Sequence, residues 1–361
     1  MAVFEALEAA HGDCLLLRWK HNGKDRLAVI DGSPGSKTYL KLRKRLAELA
    51  KGQQLRVDLM MVSHIDDDHI VGLLNLMKEE RKLFDQQRPT AFDIRCFWHN
   101  SFAELADMSN GPADLAALAS DEAQAEAWAA QLKAPEARAV LASVNKGRAL
   151  RDLIRGAGLE GNPPFDGLVV GRKDPVSLQG LTIHVVGPLQ PEVEKLRKEW
   201  HDTPPPKRQA LQAYLDDSAS NLSSIVCIVE VDGARVLLTG DARGDHMLKG
   251  LKEFGHLNSA GKAHFDVVKV PHHGSDRNMS QDFFDALSAD HYVISADGKH
   301  HNPSPPVFDW IVNSRGKSDE YTIHVTNELP WMAPQIATLS EGRKFKFSAR
   351  PSADLGLSID L

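Results

Sequence analysis

The sequence predicts an α/β fold, and three observations predict it. Short apolar runs of strand length recur along most of the chain, separated by stretches in which apolar residues return at helical spacing. Several of these runs end abruptly in His, Asp or Asn, which is where open α/β architectures gather ligands. The densest such ending is Ser63-His64-Ile65-Asp66-Asp67-Asp68-His69. It lies between the apolar run Val57 to Val62 and a helical pattern of Leu73, Leu74, Leu76 and Met77.

Composition sets the outer bounds. With 361 residues the chain has room for one large domain or two ordinary ones. It is 42% hydrophobic and 25% charged, as globular proteins are. A formal charge of −6 excludes a globally basic nucleic-acid binder and leaves room for local basic patches. Cys14, Cys96 and Cys227 are odd in number, far apart and without a C-x-x-C pair. That argues against a disulfide framework or zinc ribbon and for buried thiols in a reducing compartment. Met1 to Ala10 carries Glu5 and Glu8 and no basic residue, unlike a secretory leader. No apolar run reaches the roughly 18 residues that a membrane span needs. The expectation is a cytoplasmic protein with no membrane partner.

Taken in order, Val3 to Leu17 and Arg26 to Ile30 read as two strands joined by a polar hairpin at Lys20 to Lys24. The pairs Gly12-Asp13 and Asp31-Gly32 read as turn formers. Lys41 to Lys51 reads as a basic helix with Leu42, Leu46 and Leu49 on one side. Val57 to Val62, broken only by Asp58, is a buried strand, and Ile94 to Trp98 is another, ending at His99-Asn100. From Ser101 to Phe165 alanine dominates, with Pro112, Pro135, Pro163 and Pro164 as breakers. This predicts three or four helices, a helical insertion over 101–165 suited to capping a site or to oligomerisation. Asn145 to Arg148 reads as a polar break before a helix from Ala149 to Ile154. Strands return at Leu168 to Val170 and Leu181 to Val186, and Gln190 to Asp217 reads as a polar loop or flap. Ser224 to Val231 and Ala234 to Leu238 form a hairpin on Asp232-Gly233, ending Thr239-Gly240-Asp241. Asp266 to Val270 ends at Pro271-His272-His273-Gly274-Ser275, and His291 to Ser295 leads to His300-His301-Asn302-Pro303. Asp319 to Thr326 is a late strand on which His324 is structural, and the alternations after Arg343 suit edge strands.

The cluster after Val62 places five side chains of ligand type in six residues. An Asp-rich turn before a helix can serve simply as its cap. Three adjacent carboxylates beside an apolar strand, however, repel one another and call for a cation. Imidazole with carboxylate suits zinc, manganese or iron(II).

The ordered set resembles the metallo-β-lactamase fold superfamily, whose signature is H-x-[HD]-x-D-H after a strand, then a Gly-Asp bridging two metals, then a later His. Within it, the chain is similar to the hydrolase domain of ComEC-type competence DNA-uptake proteins. The likeness rests on Ser63 to His69, on Asn221 to Val226 leading into Leu237 to Asp241, and on Val268 to Ser275. Gly12 to Leu17 and Val29 to Gly32 support it. The accompanying membrane channel is absent, so DNA uptake does not carry over. The resemblance, with the strand–helix alternation, implies a four-layer αβ/βα sandwich over residues 1–361. Its halves are Met1 to Phe165 and Asp166 to the end, with the site along their shared edge.

The resemblance further implies one metal held by His64 and Asp66 with Asp241 bridging. A second is held by Asp68, His69, Asp241 and a histidine of the His272-His273 pair. Where the family carries its third-motif histidine this chain has Gly187-Pro188, with His99 or His184 as candidate substitutes, of which His184, within a strand, reads rather as structural. The cofactor implied is Zn2+ or Mn2+, one or two per chain. Asp68 and Asp241 take part in metal-assisted hydrolysis. Lys269 either offsets phosphate charge or decorates an edge strand, Ser275 is placed to bind a phosphate oxygen, and either His301 or Asn302 faces the substrate. A phosphodiesterase or nuclease acting on nucleic acid is the leading reading. The alternatives are a hydrolase of a small ester, lactone or phosphorylcholine-type substrate, and a non-catalytic binding protein.

Overall fold

A computed structural model of the chain describes residues 1–100, 135–202 and 224–361. The first half opens with three antiparallel strands, β1 (Val3–Leu7), β2 (Leu15–His21) and β3 (Lys24–Ile30). Helix α1 (Ser36–Ala50) follows, then β4 (Leu55–Val57), β5 (Leu59–Val62), α2 (Asp67–Asp85), β6 (Phe92–Ile94), β7 (Phe97–His99) and α3 (Pro135–Gly156). The second half continues with β8 (Val176–Leu178), β9 (Leu181–Gly187), α4 (Gln190–Asp202), β10 (Val226–Val231), β11 (Ala234–Leu238), α5 (Gly244–Glu253) and β12 (Ala263–Lys269). It ends with α6 (Gln281–Ala286), β13 (Leu287–Ile294), α7 (Pro305–Asn313), β14 (Thr322–Val325), α8 (Met332–Leu339), β15 (Lys346–Ala349) and β16 (Gly356–Asp360).

Two sheets carry the architecture, a six-stranded one in the order β16-β1-β2-β3-β5-β7 and an eight-stranded one in the order β15-β14-β13-β12-β11-β10-β9-β8. Side-chain alternation along the strands decides which layer each residue joins. Phe4, Leu17 and Met61 of the first sheet meet Ile183, Val229 and Val236 of the second in one core between the sheets. The opposite face of the six-stranded sheet, with Leu16, Val29 and Met60, packs on Leu42 of α1, Leu73 of α2 and Leu150 of α3. The opposite face of the eight-stranded sheet, with Ile228, Val268 and Tyr292, packs on Met247, Phe283 and Phe308 from α5, α6 and α7. The result is the four-layer αβ/βα sandwich expected. The tail is also as expected, since β15 and β16 each form one sheet edge.

Several local expectations are corrected. Val3 to Leu17 is not one strand; the chain leaves the sheet between Leu7 and Leu15 because Gly12 must approach α2 closely. A Cβ on Gly12 would lie 2.1 Å from the Asp68 carbonyl oxygen. The run through Val57 also divides. Asp58 is fully buried between Arg26 (3.1 Å) and Arg56 (2.7 Å), and the chain passes there from a small sheet formed with β6 into the six-stranded sheet. Ile94 to Trp98 splits in the same way. Asn145 to Arg148 makes no break, because α3 runs straight through it. Leu168 to Val170 is not a strand; Val169 is buried, and its N–H and carbonyl are bonded by the Asn100 side chain at 2.8 and 2.9 Å. Gln190 to Asp202 is helix α4 rather than loop. The rest of that expected flap, and the expected helices before Pro135, lie outside the described residues. Lys269 lies on β12, between β11 and β13 in the sheet interior, not on an edge.

Candidate metal centre

The polar endings of β5, β11 and β12 meet where the two sheets share an edge. What holds them together is glycine and backbone. Gly72 in the first turns of α2 packs on Gly32, so closely that a Cβ would lie 1.6 Å from the Gly32 carbonyl oxygen. Gly32 N–H donates to the His69 carbonyl (2.6 Å), Asp13 N–H to that of Asp68 (3.1 Å), and Ser33 N–H to that of Asp13 (2.8 Å). The Gly12-Asp13 and Asp31-Gly32 turns are therefore the seat of the His64–His69 segment. From the other half, Ser295 Oγ donates to the Gly12 carbonyl at 2.6 Å.

On this seat, Asp13, His69, Asp241 and His273 each offer a donor atom, all within 4.8 Å of one another, and all four residues are buried. The two imidazoles are oriented alike. His69 Nδ1 lies 3.0 Å from Asp31 Oδ2, and His273 Nδ1 lies 3.0 Å from the Ser295 carbonyl oxygen. Those acceptors place the hydrogen on Nδ1 and turn Nε2 inward in the neutral ring. Inside, His69 Nε2, His273 Nε2 and Asp241 Oδ1 are buried without a hydrogen-bond partner. His69 Nε2 is 3.1 Å and His273 Nε2 3.6 Å from that Asp241 oxygen. Buried polar atoms are almost always satisfied, so three converging orphans fit a cation between them.

The two nearby carboxylates divide by side. Asp68 reaches the Nε2 side, 3.3 Å from His273 and 3.8 Å from His69. Asp13 lies on the Nδ1 side of His273 at 3.6 Å and takes the Lys269 ammonium at 2.8 Å. Asp13 thus backs the ring, while Asp68 faces the centre.

Electrostatics tell the same story. Burial disfavours charge on His69, yet Asp241, Asp31 and Asp68 outweigh it and raise the ring well above the ordinary histidine range. Burial likewise opposes the charge on His273, and Asp241 and Asp13 push it up to about 10. Asp241 is held far below the carboxylate range despite its burial, by His69, His273 and His272. Asp13, also against burial, is lowered to about 2 by Lys269 and His273. A carboxylate-rich pocket that draws protons onto its histidines is one in which a divalent cation can replace those protons.

Of the remaining expected site residues, His64 is buried, its ring edge-on to His69 at 5.4 Å, with Nδ1 3.7 Å from Asp66. The Asp66 carboxylate is 41% exposed at the mouth. His272 Nε2 is 3.7 Å from Asp241 Oδ2, so both histidines of the pair reach that residue. The pair needs an unusual backbone, with φ of 45° at His272, 55° at His273 and 80° at Gly274, the kind of strain that collects at functional sites. Asn302 Nδ2 donates to the His272 carbonyl at 3.4 Å, and Ser275 is buried beside it. His301 is exposed on the rim of the adjoining cleft.

Two expectations are not met, those for Lys269 and His99. Lys269 is fully buried, its Nζ held by Asp13 and by the Val270 carbonyl at 3.0 Å, so it cannot meet a substrate phosphate. His99 is buried outside the cluster. His184, read as structural, turns to Glu230 and His256. Gly187 pairs with Val226 and brings no donor side chain. The turn reading of Gly12-Asp13 and Asp31-Gly32 missed Asp13 and Asp31. For Asp31 the available signal was an aspartate directly after an apolar strand, the same placement that marks His64; Asp13 lies between β1 and β2 and carried no such signal.

No family model matches the chain. Over 144 residues it is 26% identical to the ComE operon protein 3 of Bacillus subtilis (strain 168), a match taking in 39% of this chain and 15% of that protein. Among solved structures it is similar to the metallo-beta-lactamase fold protein YhfI from Bacillus subtilis, with a TM-score of 0.40 and 9% identity over 99% of both chains. It is also similar to a protein of unknown function from Enterococcus faecalis V583, with a TM-score of 0.30 and 9% identity, covering 98% of this chain and 78% of that one.

Proposed function

We propose that the chain is a metal-dependent hydrolase of phosphodiesters, with nucleic acid as its substrate class. The observation that carries this reading is the convergence of His69 Nε2, His273 Nε2 and Asp241 Oδ1, buried and without partners. His69, His273, Asp241 and Asp68 would hold one cation; His64 and Asp66, with Asp241 and His272, would hold a second. Zinc and manganese both suit this donor set. Such a cation supplies Lewis acidity, lowering the pKa of water and drawing charge from an attacked phosphoryl oxygen. The chain's own part is positional. Asp31 and the Ser295 carbonyl fix the imidazoles, Lys269 and Asp13 hold the turn behind His273, and the Asp68 carboxylate, 22% exposed, lies between the centre and solvent.

The adjoining cleft supports a phosphodiester over a small neutral ester. It measures ≈ 640 Å³ and is lined by Arg243, Arg277 and the imidazoles of His272, His300 and His301. A lactone or thioester would call for a deep, uncharged pocket. The cytoplasm remains the proposed location; among the described residues no helix is long and apolar enough to cross a membrane. The test is an assay of purified protein, with zinc and with manganese, on single- and double-stranded DNA, RNA and bis(p-nitrophenyl) phosphate, alongside elemental analysis. Turnover of at least one phosphodiester is expected. Bound metal without turnover in any combination would overturn the proposal.

A further inference from the structure

The cleft beside His272 extends to one side of the metal centre, between the 272–278 turn and the 300–305 turn. Three groups on its wall lack partners. Arg277 is exposed and has no carboxylate partner among the described residues. Asn278 Nδ2 and His272 Nδ1 are buried with no hydrogen-bond partner, although both line the cleft. Other charges on the wall are engaged. Arg243 forks onto Asp245 at 3.1 and 3.0 Å, and Asp276 accepts from the Ser304 hydroxyl at 3.1 Å.

We infer that this cleft holds a second phosphate of a polynucleotide strand, next to the one being cleaved, with Arg277 as its principal contact and Asn278 as a supporting donor. The inference rests on the phosphodiesterase reading for the centre and adds a subsite to it. A guanidinium without a carboxylate and a buried amide without an acceptor are complementary to phosphate oxygens, which accept and never donate. The His300 and His301 rings lie on the same rim. Flat rings beside a phosphate contact suit a chain in which phosphates alternate with bases that stack. A small phosphodiester would leave a cleft of ≈ 640 Å³ largely unfilled.

Binding, measured separately from cleavage, tests this. Fluorescence anisotropy of a short labelled single-stranded DNA, repeated with RNA, is read for wild type, Arg277→Ala, Arg277→Lys and Asn278→Ala across a salt series. Losing one charge-assisted contact is expected to weaken Arg277→Ala about tenfold. The slope of log affinity against log salt should fall by about 0.7, one phosphate contact on a single strand. Arg277→Lys should keep the slope, and Asn278→Ala should weaken binding without changing it. Because Arg277 is exposed on a turn, its replacement leaves the core intact, and circular dichroism checks that. Wild-type affinity and slope in Arg277→Ala, or a wild type that binds neither DNA nor RNA, would overturn the inference. A protein that binds with this Arg277 dependence but cleaves nothing, metal bound, would support the subsite and overturn the hydrolase reading.

Discussion

Two regions of this molecule bury a histidine at the end of a strand of the six-stranded sheet or its partner, and they treat it in opposite ways. His273 follows β12 into a pocket of carboxylates, where Asp241 and Asp13 overcome burial and push its ring up to about 10. His99 ends β7 equally buried, and there burial together with the Arg151 and Arg155 charges lowers it to about 4. Both His99 ring nitrogens lack a partner, whereas His273 has Nδ1 satisfied and only Nε2 open. Burial is common to both, so it identifies nothing. The sign of the neighbouring charges, and one nitrogen fixed while the other is left open, mark the ring suited to a cation.

The strongest way to break this contrast is to remove the charge at its centre. Asp241 lies 3.1 Å from His69, 3.6 Å from His273 and 3.7 Å from His272. Asp241→Ala should lose bound metal through dialysis and drop hydrolysis to background, as elemental analysis and turnover would report. Full metal occupancy in the variant would mean that the convergence of donors is not the binding site.

Next in size is the support behind His273. Lys269→Met leaves the Asp13 carboxylate buried and unpaired, a change that typically costs about 3–5 kcal/mol. Urea unfolding of the metal-free protein should show this loss, and adding Asp13→Asn should restore most of it. If Lys269→Met instead kept its stability and lost only turnover, the residue would regain the substrate role that its burial denies. Smaller again is Asp31→Asn. It keeps the shape of the side chain but offers an amide where His69 Nδ1 needs a carboxylate at 3.0 Å. Replacing such a partner typically costs about 10–100-fold in metal affinity. Competition against a chelator measures it, and unchanged affinity would show that the His69 tautomer needs no help.

The same contrast explains what could be read from the residues alone. His64 to His69, Asp241 and the His272-His273 pair were legible because several ligand-type side chains follow a buried strand, and no local structure needs so many. Asp13 and Asp31 were not, because a Gly-Asp or Asp-Gly pair already has a sufficient local role as a turn. Only the tertiary contact of Gly12 and Gly32 with α2 reveals why those turns are there. The layers were legible from strand–helix alternation. The division at Asp58 was not, since it depends on Arg26 and Arg56, one of which comes from another strand. Lys269 escapes the sequence for a related reason: a lysine beside the polar His272-His273 turn suggests solvent, and its burial is set by Asp13, more than 200 residues away in the chain. Val169 looked like a strand because it is apolar; Asn100 supplies its backbone bonds instead.

The smallest effect is the one that separates the two histidines by sign. His99 has a folded pKa of about 4 against an ordinary 6.5. Between those values the unfolded chain binds the proton and the folded chain does not, so stability falls as pH falls through that window. The loss should be on the order of 2 kcal/mol, and above 6.5 it should vanish. His273 runs the other way in the metal-free protein. Its folded pKa of about 10 stabilises fully below 6.5, and that contribution is lost as pH rises through about 10. Asp13, held at about 2, contributes above its ordinary 3.8 and loses its share only below the His99 window. His324, also lowered to about 4, shares that window, so the comparison must be wild type against His99→Gln rather than against a fixed baseline. Urea midpoints of the two proteins, chelator-treated, should converge as pH falls from 6.5 to 4 and run parallel above it. Parallel midpoints throughout would place the proton on His99 in the folded state, and the arginines of α3 would then have no hold on its charge.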